Sequence, residues 1–182
     1  MTGRILAIVG TALALSTVAA PAHTVAPVPP QLAPPPQQLL APQQSLARVY
    51  RLLDNYTGGH LYSTDLNEVR NLSARGTYHL ENAGFYVLAR QLPGTVPLNR
   101  FFTAAGNHPL GTNPQFGAAV GGQSEGAIGY VYPRQQPGTV PLYAWSNPIT
   151  GDFLYTTNRS GELAPQSGLR YEGVVCYVYP LP

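Results

Sequence analysis

The sequence reads as an all-β chain closing into a compact pseudo-threefold barrel of three repeats of about 45 residues, most simply β-trefoil-like. Three observations carry this. The phrase Leu92-Pro93-Gly94-Thr95-Val96-Pro97-Leu98 returns as Gln136-Pro137-Gly138-Thr139-Val140-Pro141-Leu142, a shift of 44 residues. Twelve tyrosines favour strands over helices. Glycine and proline number 19 each, so the chain turns often and leaves little room for long helices.

The elements follow in chain order. Arg4, the apolar run Ile5 to Leu15 and the small-residue site Ala20-Pro21-Ala22 form a secretory signal over 1–22, with cleavage expected after Ala22. The apolar run is shorter than the ~20 residues a spanning helix needs, so no membrane association is expected after cleavage. Residues 23–45 are a Pro/Gln-rich linker with no aromatic and no charged side chain, expected to stay disordered. The folded domain then spans 46–182, divided 46–94, 95–138 and 139–182.

Each repeat shows an opening strand: Val49-Tyr50-Arg51-Leu52, Leu98-Asn99-Arg100-Phe101 and Leu142-Tyr143-Ala144-Trp145. A second strand follows at His60–Thr64, His108–Thr112 and Phe153–Thr157. The closing strand holds Glu81, Glu125 and Glu172, each five residues before Tyr86, Tyr130 and Tyr177. Three strands per repeat are legible; a trefoil unit implies a fourth. Asp65, Asn113 and Asn158 stand after the second strand as helix caps. Asp65 with Glu68 forms a capping-box pattern, and Leu66, Val69 and Leu72 predict a short helix in the first repeat, stopped by Gly76.

These residues resemble a secreted or cell-surface repeat family of unknown function found in bacteria and fungi, with the pattern P-L-Y-R-L-Y-N, H-F-Y-T-T-N, E-G-x-x-x-Y-V. The matching segments are Pro141 to Asn147, Phe153 to Asn158 and Glu172 to Val178, with counterparts in the other repeats. Such repeats often accompany cell-wall-lytic enzymes, so the resemblance implies a glycan-binding role by association and carries over no catalytic residues. The middle repeat departs from the pattern at Pro109, Leu110 and Gly111.

The chemistry is sparse. Ten arginines, no lysine and a net charge of +2 without a basic run argue against a nucleic-acid partner. Gly122-Gln123-Ser124-Glu125-Gly126 matches a nucleophile elbow, but a strand follows it and no histidine lies after His108. Glu81, Glu125 and Glu172 are repeat-equivalent, so a threefold arrangement spreads them instead of pairing them for glycoside hydrolysis. No metal-ligand spacing is present, and no metal or cofactor is expected. Cys176 alternates with Val174 and Val178 as a small buried hydrophobe, with an intermolecular disulfide as the alternative.

The expected function is a secreted, monomeric, non-catalytic module that binds cell-wall or surface glycans. A structural or protein-interaction domain is the alternative, and a glycoside hydrolase a more distant one. The candidate ligand residues are Trp145, Asp152, Tyr155 and Asn158 in the third repeat, with His60, Tyr62 and Asp65 in the first. Aromatic faces beside short polar groups suit sugars, although rings at strand positions also build cores. Asn55, Asn71 and Asn158 head N-x-S/T sequons, and Asn55 is the preferred acceptor because Gly58-Gly59 follows it.

Overall fold

Tyrosine, valine and leucine alternate along the opening strands, and each of these strands collects two partners. The computed structural model describes residues 45–162 and 167–182. The expected signal and nearly all of the linker therefore lie outside the described residues. Strand β1 (Leu46–Asp54) pairs antiparallel with β2 (His60–Ser63) and β3 (Tyr78–Leu88). In the next third, β4 (Val96–Thr103) pairs with β5 (Leu110–Gly111) and β6 (Gly122–Val131). In the last, β7 (Val140–Ser146) pairs with β8 (Phe153–Thr156) and β9 (Arg170–Val178).

A Leu88–Tyr130 pair joins the first two sets into one sheet of order β2-β1-β3-β6-β4-β5, while β8-β7-β9 forms a second sheet. Single bridges Tyr86–Tyr179 and Tyr132–Tyr177 link the end of the chain back to the first two sets. The chain is all-β, in open antiparallel sheets. Among the described residues each third contributes three strands, and the fourth strand of a trefoil unit is not found. In the first two thirds the chain instead turns helical between the second and closing strands.

Helix α1 (Leu66–Ala74) starts where Asp65, in extended conformation, accepts a hydrogen bond from the Asn67 N–H. It buries Val69 against Leu52 and Leu61, with Leu72 beside them, and stops before Gly76 at φ 71°. The capping box does not close: Glu68 turns to Arg100 instead. Helix α2 (Pro114–Ala119) is capped by Asn113, which accepts from the Phe116 N–H. Its Gly117 sits so close to Phe101 that a Cβ would fall 2.3 Å from the ring, so only glycine lets this helix lie down.

The core gathers side chains from the opening, short and closing strands. Val49, Leu98 and Leu142 are wholly buried, as are Val87, Val131 and Val178 within 1%. Tyr62, Leu110 and Tyr155 join them in the same cluster, with Phe85 and Cys176. The thiol is buried and free, as the sequence suggests, and burial pushes its pKa up. β5 has only two residues because Pro109 lacks a donor and the Phe116 ring occupies the space beside Gly111.

Candidate functional site

Register shifts fall beside the aligned positions Arg51 and Arg100, and a shift of this kind re-aims a side chain. Both arginines turn inward. The Arg51 Nε donates to Glu81 (2.7 Å), and its two Nη atoms grip Glu162 of the last third (3.0 and 2.8 Å). Arg100 repeats this with Glu125 (3.0 Å) and Glu68 of α1 (2.9 and 2.8 Å), and also donates to the Tyr62 carbonyl (3.1 Å). Each forms a two-pronged, charge-assisted clamp between thirds of the chain.

Hydrogen bonding from Arg100 holds the Glu68 carboxyl below its usual range, and Arg51 does the same for Glu162. Such carboxylates contribute stability that is fully present above the unfolded value near 4.5 and is lost as pH falls through the lowered folded values. The melting temperature is expected to hold from neutral pH to about 5 and to fall below it. Arg51→Ala plus Arg100→Ala should flatten that acid limb; an unchanged limb in the double variant contradicts the assignment.

His60 and Asp152, nominated separately from different repeats, are brought together. The His60 ring and Asp152 lie 2.8 Å apart, and the His60 backbone N–H donates to the same carboxylate at 2.8 Å. Asp152 is buried, and the other ring nitrogen faces Glu81 at 3.9 Å. An acid–histidine pair needs a nucleophile at that nitrogen, and a carboxylate stands there instead. The pair works as a strut between the first and last thirds.

Tyr62 and Tyr155 also come together, but inside. They are 0% and 1% exposed, with rings edge to face at 5.4 Å. The Tyr62 hydroxyl donates to the Tyr155 carbonyl (3.1 Å) and accepts from its N–H (2.7 Å). The Tyr155 hydroxyl does the same with Leu110, at 2.8 Å each way. Both rings are buried, so their expected role as sugar platforms gives way to the core role. Asp65 is exposed and occupied with its cap, and Asn158 is exposed and holds a turn by accepting from Ser160.

Trp145 has a different setting. It stands on β7 opposite Tyr171 of β9, with ring centroids 5.3 Å apart, and Tyr143 also contacts Tyr171, at 6.2 Å. Tyr171 is 52% exposed, and Trp145 and Tyr143 are half-buried. The turn that Asn158 opens brings Gly161 against the indole, so tightly that a Cβ there would lie 2.4 Å from the ring. Tyr143, Tyr171 and Trp145 thus form a row of three rings that reaches the surface, with Asn158 on the adjoining turn. Sequence reasoning named Trp145 but missed Tyr143 and Tyr171; the signal was the register of β7 against β9, which places them on one face.

Ser124 lies exposed on β6, accepting from the Gly126 N–H, with a strand after it and no helix. The three sequon asparagines are all exposed. Asn55 already donates to the Gly76 carbonyl and meets the His79 ring, whereas Asn71 lies on the exposed side of α1. No helix among the described residues is long and apolar enough to cross a membrane.

A family model described as a domain of unknown function (DUF5648) matches residues 48–179. No curated protein and no solved structure matches the chain.

Proposed function

The chain belongs to this family of domains of unknown function, and we propose that it is a non-catalytic carbohydrate-binding module of an exported protein, with the row Tyr143–Tyr171–Trp145 as its ligand face. The row itself is the observation that carries this reading. Sugar rings present C–H faces that pack on aromatic planes, and tyrosine hydroxyls at the edges suit their hydroxyl groups. The paired use of Glu81, Glu125, Glu68 and Glu162 in arginine clamps supports a binding role over a hydrolytic one. Export follows from the signal-like residues 1–22, and the glycans it would meet are those of a cell wall or surface.

The architecture proposed for this module is three copies of one β-unit about a pseudo-threefold axis, each pairing its opening strand with a short and a closing strand. In this reading only the third copy presents a ring row. The positions equivalent to Trp145 and Tyr171 are Leu52 and Leu80 in the first copy, and Phe101 and Ser124 in the second.

Titration of the mature protein against a panel of wall and surface glycans is expected to show weak, saturable binding. Tyr171→Ala, on the exposed ring, should reduce affinity at least tenfold with an unchanged circular dichroism spectrum. No binding across the panel, or full binding by the variant, removes this reading.

A further inference from the structure

A third junction of the clamp type contains no arginine. Ala144 occupies the position aligned with Arg51 and Arg100, and it too lies beside a register shift. Its closing-strand glutamate, Glu172, is kept. The second carboxylate is gone: three residues past the helix cap, where α1 offers Glu68 to Arg100, α2 offers Phe116.

At this junction a cleft of about 500 Å³ is lined by Ala144, Glu172, Val174, Phe116 and Phe153. Clefts of about 470 and 220 Å³ beside Arg51 and of about 280 Å³ beside Arg100 are lined by the arginines and their carboxylates, so this one is set apart by its apolar, aromatic lining and not by its size. Phe116 and Phe153 meet edge to face at 5.8 Å. Glu172 accepts a hydrogen bond from the Ser146 hydroxyl and joins no ion pair among the described residues. An apolar, aromatic cavity of a few hundred Å³ with one carboxylate is built for a cation carried on an apolar stem.

We propose that this cleft binds an alkylguanidinium group, seated where the chain's own arginines sit at the other two junctions. Glu172 accepts the guanidinium N–H groups, as Glu81 accepts from Arg51 and Glu125 from Arg100. The stem packs over Ala144 and Val174, and the flat cation lies against Phe116 or Phe153, where the ring quadrupole takes the place of the missing carboxylate. A guanidinium is favoured over an ammonium because its planar fork both stacks on a ring and bridges to a carboxylate. The same chemistry is presented by an arginine side chain of a partner protein and by a free small alkylguanidine. This site is separate from the ring row and does not depend on the carbohydrate reading.

The test is calorimetric titration of the mature protein with propylguanidine, with arginine blocked at both ends, and with butylamine. Both guanidines are expected to bind saturably at one site, and butylamine at least tenfold more weakly. Glu172→Gln should weaken the guanidines at least tenfold. Ala144→Arg should fill the cleft from within, abolish their binding and raise the melting temperature. Should Ala144→Arg fail to fold, Glu172→Gln decides alone. Tighter binding of blocked arginine identifies a protein partner, and tighter binding of propylguanidine a free cation; either supports the site. Absence of binding by both guanidines, or unchanged binding in Glu172→Gln, overturns it.

Discussion

Tyr155→Ala is expected to cost about 3–5 kcal/mol and to leave the domain largely unfolded at physiological temperature. The ring is 1% exposed, stacks with Phe153 and meets Tyr62 edge to face, so its removal opens a cavity where the thirds of the chain meet. Its hydroxyl is also the hydrogen-bond partner of both the Leu110 N–H and the Leu110 carbonyl. Tyr155→Phe isolates that second contribution. It keeps the ring but strands two buried backbone groups, at about 1–3 kcal/mol. Urea unfolding of both variants checks the pair. A Tyr155→Ala protein as stable as the wild type would return the ring to the surface and to ligand binding.

Arg100→Ala is the second large effect. The side chain is 11% exposed and neutralises Glu68 and Glu125, which are 30% and 27% exposed. Removing one partner of a fully buried pair costs about 3–5 kcal/mol. Partial solvation of these carboxylates reduces that, so a loss of about 2–3 kcal/mol is expected. The Tyr62 carbonyl loses a donor as well. A double-mutant cycle with Glu68→Gln should show coupling of about 1 kcal/mol or more, since the two groups share two hydrogen bonds. Additive losses would mean that the clamp is a surface contact of little weight.

Local pattern made the strands readable. Alternation and the 44-residue echo located three strands per third, and Asp65, Asn113 and Gly76 marked helix ends where local geometry alone decides. What stayed hidden depends on pairs far apart in the chain. A tyrosine has an apolar body and a polar tip, and nothing local says whether the tip meets water or a distant backbone. Tyr62 finds Tyr155 93 residues away, and Tyr155 finds Leu110 45 residues away, which places both in the core. Glu68 fits a capping box by spacing, but Arg100, 32 residues on, is the stronger partner because it brings charge and a bidentate fork. His60 and Asp152 looked like unrelated polar residues until a separation of 92 residues closed to a hydrogen bond.

The middle third shows the same limit from the other side. Pro109 and Gly111 read as damage to a strand, yet a Cβ at Gly111 would stand 2.3 Å from the Phe116 ring, so the glycine makes room for one wall of the open cleft. Ala144 looked like an ordinary small residue in a strand. Only in the fold does it stand out, as part of the lining of that cleft.

The ring row carries its own reporter, because Trp145 is the single tryptophan of the chain. Its emission, followed while the mature protein is titrated with the glycan that binds best by calorimetry, tests the proposed face directly. A saturable shift in intensity or wavelength, with the same midpoint as the calorimetric isotherm and lost in Tyr171→Ala, is the result expected of a sugar seated on Tyr143, Tyr171 and Trp145. Calorimetric binding with unchanged Trp145 emission would place the ligand elsewhere and contradict the account.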